Sequence, residues 1–378
     1  MESPLAGMRL TPPRIVFAVL LAAGLCAKLL LAPLADPESM GALGLALSLA
    51  RFALGLSLLV LGADIMVHSA VRLARAMRVS TFVIGVTVVA FGTSAPELFT
   101  SVGAALRRSG GLAVGNVFGS NIANVGLILG VTALVRTIPC PRSTRRIDLP
   151  LVLGATGLVA LMLADPVLGT RTRDTAAMIG PIEGGVLVLA LLAYLIYNIR
   201  AGRIDPEAVQ AELERASDAD PERARGPHPA SDAVLLLAGL AGMVLGADQL
   251  VVGASDLARA AGMSEAVIGL TLVALGTSLP ELVLCVQAAR QGHGDITLGN
   301  VLGSNVFNLL AVLGVAALVA PLDVPAELVA RDLWIALGFS AILWPVMAAR
   351  GVLGRTEGVL LLAAYAAYIA LIGFLQFG

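Results

Sequence analysis

Cysteine, histidine and lysine are scarce in this chain, and each scarcity closes off a class of chemistry. The three cysteines, Cys26, Cys140 and Cys285, show no CxxC spacing, which argues against a disulfide framework. The three histidines, His68, His228 and His293, lie far apart in sequence and argue against a zinc site. Lys28 is the single lysine among 25 basic residues, a bias expected of a GC-rich bacterial genome. Charge is sparse altogether: 13% of residues are Asp, Glu, Lys or Arg, where a soluble domain carries about 25%. The net charge of −1 offers no field for nucleic acid. No nucleotide loop, catalytic triad or metal-hydrolase motif is present, so neither an enzyme nor a cofactor is expected. What the chain has instead is apolar sequence, 58% hydrophobic with a mean hydropathy of +0.90. It reads as an all-α polytopic membrane protein.

A bilayer core takes about 20 apolar residues per helix. Eleven spans are expected, near 14–34, 43–71, 80–106, 112–135, 147–164, 176–199, 232–258, 264–289, 295–320, 330–349 and 357–377. The first resembles a signal peptide in its Arg9 and Arg14, but "APLADPE" puts Pro33 where a small residue should precede the cut, so a retained helix is expected. With the N-terminus inside, Lys28 and Arg51 fall within spans and the remaining arginines divide 17 inside to 6 outside. That follows the positive-inside rule in a cell inner membrane and leaves the C-terminus outside. The polar segment 201–231 then lies on the cytoplasmic side as a linker.

The second half repeats the first. Residues 62–135 align without a gap onto 246–319 at an offset of 184, with 39 of 74 positions identical. Each half holds five expected spans, an odd number, so the halves enter the membrane in opposite senses. Such inverted repeats build secondary transporters whose substrate site lies near the midplane. The organisation expected is 1–42 as an N-terminal segment with an extra helix, 43–200 as the first five-helix repeat, 201–231 as the linker and 232–378 as the second repeat.

The most similar stretches are also polar. "GTSAPE" ends at Glu97 and "GTSLPE" at Glu281. Pro96 has no N–H and should release the carbonyl of Gly92 and bend the helix. Thr93, Ser94 and Glu97 share one helix face. One turn thus gathers a carbonyl, two hydroxyls and a carboxylate, and Gly276, Thr277, Ser278 and Glu281 repeat the set. The following spans carry "GNVFGSNIAN" and "GNVLGSNVFN", which place Ser120 with Asn124 and Ser304 with Asn308 four apart. The paired glycines 115 and 119, and 299 and 303, fit close helix packing. Two carboxylates balance one divalent cation, and calcium takes six to eight oxygen ligands. A pairing of the glutamates with Lys28 or Arg51 is the competing expectation. Asp64 and Asp248 read as helix-end charges beside an arginine, and Thr87 and Thr271 as hydroxyls bonded to their own backbone.

With both motif pairs in place, the chain resembles the sodium/calcium exchanger family of the cation/calcium antiporter superfamily, across residues 43–377. The resemblance implies a ten-helix core of two inverted five-helix repeats and alternating access. It implies ion ligands at Thr93, Ser94, Glu97, Ser120, Asn124, Thr277, Ser278, Glu281, Ser304 and Asn308, with Na+ and Ca2+ bound as substrates and the lipid bilayer as surroundings. Potassium-dependent relatives carry aspartate where Asn308 stands, so potassium coupling is not expected. Proton-coupled relatives have "GN" where this chain has "GTS", so Thr93 and Thr277 favour sodium over a proton/calcium antiporter. A channel is the reading from another class, and the buried carboxylates favour a carrier over it.

Overall fold

Backbone polar groups in lipid must be satisfied within the protein, and helices do so segment by segment. The structure, a computed structural model, describes residues 12–31, 42–142, 144–164, 177–201, 229–263 and 276–377. Helix α1 is Pro12–Leu31 and α2 is Ala42–Met77. Helices α3 (Thr81–Thr93) and α4 (Ala95–Leu106) form one apolar span bent by 44° at the break. Then follow α5 (Gly110–Val135), α6 (Thr144–Leu163), α7 (Pro181–Ala201) and α8 (Pro229–Ala260). The second half continues with α9 (Leu279–Arg290), α10 (Gly294–Val319), α11 (Leu328–Met347) and α12 (Arg355–Phe377).

Among the described residues, eight helices are long and apolar enough to cross a membrane, and the bent pair makes a ninth span. Helix α1 adds a shorter apolar stretch, Ile15–Lys28. The expected span at 264–289 is described only from residue 276, and Thr271 and most of the linker 201–231 lie outside the described residues. Helix α2 runs six residues past its expected end at 71, to Met77. Its last turns are polar, and Arg72 there is tied to Asp232 rather than to solvent.

The chain forms two compact units, and each draws helices from both repeats. One comprises Met1–Arg78 with Ile204–Gln287; the other comprises Val79–Arg203 with Ala288–Gly378.

In the first unit, α2 and α8 pack antiparallel along facing glycines. A Cβ on Gly62 would stand 2.7 Å from the Gly239 carbonyl oxygen, and a Cβ on Gly246 would stand 2.8 Å from that of Gly55. Shifting each position by 184, 239 back to 55 and 62 forward to 246, turns the first contact into the second. The two equivalent helices are therefore related by a pseudo-two-fold axis, the physical content of an inverted repeat. Glycine at these positions lets the backbones touch where lipid offers no hydrophobic drive for helix association. Ion pairs fasten the ends: Arg72 to Asp232 at 2.7 Å and Arg51 to Asp256 at 3.7 Å, with Arg259 of the same helix also on Asp256 at 2.8 Å. Helix α1 lies on the same pair. Its Phe17 ring fills the space a side chain at Gly242 would need, and its Lys28 pairs with Asp248 at 3.2 Å.

In the second unit, α5 and α10 are the most buried spans. Four short strands cap them: β1 (Ile138–Pro139), β2 (Ala177–Ile179), β3 (Leu322–Val324) and β4 (Val352–Leu353). Strand β1 pairs with β4, and β2 with β3, both antiparallel. Each pair joins one repeat to the other. The helices cross in the same way: Gly184 of α7 meets Gly314 of α10, and Gly358 of α12 meets Gly130 of α5.

Two tests follow from this packing. Replacing Gly62 by Leu forces a side chain into the Gly239 backbone, and overpacking of this kind costs about 1–3 kcal/mol. The expected outcome is a lower melting temperature of the detergent-purified protein, with Gly103→Leu, where nothing stands within 4 Å, leaving it unchanged. Cys140 is buried beside β1, and burial pushes its thiol up to about 12, against weaker opposing effects of the Leu353 backbone and Arg145. A group raised this far stays protonated as pH climbs, so Cys140 should resist maleimide from about pH 7 to pH 9 and react only after denaturation. Mass spectrometry of the labelled peptide checks this.

Candidate functional site

The break between α3 and α4 is where the sequence concentrates its oxygen atoms. Ser94 sits at the break with φ −82° and ψ 4°, outside helical geometry, and Pro96 lies in the first turn of α4. The Ser94 N–H bonds the Ala90 carbonyl at 3.0 Å. It also points toward the Gly92 carbonyl, so the oxygen expected to be released by Pro96 is shared rather than wholly free. Thr93 is fully buried and Ser94 nearly so, and Glu97 is 1% exposed. A carboxylate in such surroundings is costly unless other groups compensate it.

Around it the second unit supplies polar groups from α5 and α10. The Ser120 hydroxyl reaches Glu97 Oε1 at 3.5 Å. Asn116 donates to Ser101 Oγ at 3.0 Å and toward the Glu97 carbonyl at 3.4 Å. Thr93 donates its hydroxyl hydrogen to Asn300 Oδ1 at 3.2 Å. That commits the proton and leaves the lone pairs of the Thr93 oxygen available. The amides then cross between repeats: Asn124 Nδ2 donates to Asn305 Oδ1, and Asn308 Nδ2 to Asn121 Oδ1, both at 3.0 Å. These two bonds are images of one another under the offset of 184.

Asn124 and Asn308 each open a π-helical stretch, Asn124–Leu129 and Asn308–Val312. A wider turn of this kind leaves local carbonyls less tightly committed and is frequent at functional sites. Among the expected neutral ligands of this unit, three buried oxygens have no hydrogen-bond partner: Ser94 Oγ, Ser304 Oγ and Asn308 Oδ1. Buried polar atoms are nearly always satisfied. Neutral oxygens left over beside a buried carboxylate are suited to a bare cation, which needs donors of lone pairs and no hydrogen-bond donors.

The matching residues of the second repeat lie in the first unit. Ser278 and Glu281 are buried, Glu281 at 2%, and Thr277 is half-buried. Leu282 N–H bonds the Ser278 carbonyl at 3.1 Å, restarting the helix beyond Pro280. A side chain at Gly276 would strike Val251 of α8 at 2.6 Å.

The second unit thus holds Thr93, Ser94, Glu97, Ser120, Asn124, Ser304 and Asn308, and the first holds Gly276, Thr277, Ser278 and Glu281. Lys28 and Arg51 pair with Asp248 and Asp256, not with the glutamates. Asp248 has a lysine where an arginine was expected. His68 stands 3.6 Å from Asp64, and Lys28 pairs with Asp248. The Thr87 hydroxyl bonds its own backbone at Val83, as expected. Asn116, Asn121, Asn300 and Asn305 were not among the expected ligands. The signal that marks them is their recurrence at the offset of 184 inside otherwise apolar helices.

The sequence profile of the family described as "Sodium/calcium exchanger protein" matches residues 47–200 and 231–374. The sodium/calcium exchanger MaX1 of Methanosarcina acetivorans is 36% identical over 341 residues, covering 85% of this chain and 97% of its own. The putative antiporter CaxA of Alkalimonas amylolytica is 38% identical over 318 residues, covering 83% of this chain and 95% of its own. Among solved structures, the sodium-calcium exchanger NCX_Mj soaked with 2.5 mM Na+ and 0.1 mM Ca2+ superposes with a TM-score of 0.70. It is 34% identical and covers 86% of this chain and 98% of its own. With a helical membrane fold, the duplicated GTS-x-PE motif and these matches together, the chain belongs to the sodium/calcium exchanger family.

Proposed function

We propose that the protein exchanges Na+ for Ca2+ across the cell inner membrane by alternating access. The N-terminus and the 201–231 linker face the cytoplasm and the C-terminus faces outward, as the arginine distribution favours. The cation is held by Glu97 and Glu281, one carboxylate from each repeat. Thr93, Ser94, Ser120, Asn124, Thr277, Ser278, Ser304 and Asn308 supply neutral oxygens, with carbonyls from Gly92 and Gly276. The observation that carries this reading is the buried Glu97 among oxygens that include three with no hydrogen-bond partner. The relatives support the ion pair: MaX1 is named a sodium/calcium exchanger, and NCX_Mj was soaked with Na+ and Ca2+.

The chemistry gives exchange a physical basis. A single ionised side chain at the bilayer centre costs at least a few kcal/mol, and two together cost more. An unloaded site would therefore be held from crossing, while one calcium or a set of sodium ions cancels the charge and permits it. Each ion is carried only if the other is returned. Proton/calcium exchange is the second reading, since protons also neutralise carboxylates. Thr93 argues against it: its hydroxyl is directed by Asn300 so that its lone pairs are free for a metal ion.

Proteoliposomes loaded with sodium should take up radioactive calcium when diluted into sodium-free medium, and a proton or potassium gradient should not replace sodium. Uptake driven by protons and indifferent to sodium would falsify the sodium reading. Glu97→Gln should abolish exchange while the protein still inserts, assayed by yield and gel filtration in detergent. Ser304→Ala should leave thermal stability in cation-free buffer unchanged or raised, because it removes an unsatisfied buried hydroxyl. The same variant should reduce the stabilisation that calcium confers.

A further inference from the structure

An asparagine can serve as a cation ligand only through its oxygen; turned by 180° it presents an NH2 group and repels the ion. The four central asparagines of the second unit contain a device that decides this orientation. It begins with a backbone carbonyl, a group that can only accept. The carbonyl of Asn305 receives Asn121 Nδ2 at 3.1 Å. With its nitrogen committed there, Asn121 presents Oδ1 on its other side. Asn308 meets that oxygen with its own Nδ2 at 3.0 Å. The Asn308 oxygen must then face away from Asn121, and it is this buried atom that has no hydrogen-bond partner.

The mate of this chain is incomplete. Asn124 Nδ2 meets Asn305 Oδ1 at 3.0 Å, but Asn305 Nδ2 has no acceptor. The orientation of Asn308 is thus fixed through two hydrogen bonds that end on a backbone carbonyl, and that of Asn124 through one that ends on a side chain. All four residues are at most 3% exposed, so water does not compete for these bonds.

Building on the cation reading above, we propose that Asn121 is a positioning residue: through the Asn305 carbonyl it holds the Asn308 amide with its oxygen toward the transported cation. Asn121 does not itself touch the ion. Its contribution is to abolish the wrong rotamer of a ligand that is neutral and two-faced. An aspartate at position 308 would need no such partner, because both of its ends are oxygen. Asn121 is therefore the counterpart that an asparagine at 308 requires.

The test is a double-substitution cycle read by calcium binding, by titration calorimetry on detergent-purified protein, and by the KM and maximal rate of calcium uptake in proteoliposomes. Asn121→Leu keeps the shape of the side chain and removes both bonds; Asn121→Ala serves if the leucine variant does not accumulate. Either should weaken calcium binding and raise KM by about tenfold or more, the usual effect of losing a residue that orients a metal ligand, with a smaller change in maximal rate. In the Asn308→Asp background, the same substitution at 121 should change binding by less than about twofold. Thr156→Ala, which removes a buried hydroxyl bonded to its own helix, should lower neither affinity nor rate. Unchanged affinity in the Asn121 variants, or an equal loss in both backgrounds, overturns the proposal. A wild-type protein that binds calcium but moves none on a sodium gradient would instead overturn the exchange reading and leave the calorimetric cycle to judge Asn121.

Discussion

Two side-chain hydrogen bonds between repeats, Asn124 to Asn305 and Asn308 to Asn121, are images of one another within the second unit. Much of that unit depends on them. They tie α5 to α10 at the depth where each helix widens into its π-helical stretch. In an apolar interior an amide without a partner is costly, so the pairing fixes the register between the helices. Everything attached to α5 and α10 inherits that register, including Ser120 beside Glu97 and Asn300 beside Thr93.

The glycines perform the complementary task. Amides specify where helices meet, and small residues let them meet closely. Gly62 against Gly239 and Gly55 against Gly246 bring α2 and α8 into backbone contact, with the pairs Arg72–Asp232 and Arg51–Asp256 fastening their ends. The fastenings are not symmetric. Arg72–Asp232 in one place becomes Asp256–Ser48 at the equivalent place, so a duplicated frame carries different chemistry at corresponding positions.

Much of this was legible in the sequence because repetition does the work of an alignment. Identity at a fixed offset singled out the glutamates, the hydroxyls and the two outer asparagines, and Pro96 announced the break between α3 and α4. Other features lack a local signal. The strands are two or three residues long and pair across more than a hundred positions of chain, so no periodicity marks them. Asn121 and Asn305 recur at the same offset, but what they bond to has no local signal, since their partners are nearly half the chain away. The pairing of Lys28 with Asp248 was hidden for a similar reason: α1 has no copy in the second half that could reveal its contacts. The end of α2 was placed too early because hydropathy stops at the first arginine, whereas the helix stops only where its hydrogen bonds do.

The crossed pairing of strands has a consequence for how the halves relate. Strand β1 does not pair with β2 of its own half but with β4 of the other, and β2 likewise with β3. Gly130 meets Gly358 while Gly314 meets Gly184. In these strand and glycine contacts each half returns what the other gives, as in an isologous dimer. In these contacts each half stands to the other as a protomer stands to its partner. Contacts of this kind, made between chains in a two-fold dimer, are here made within one chain.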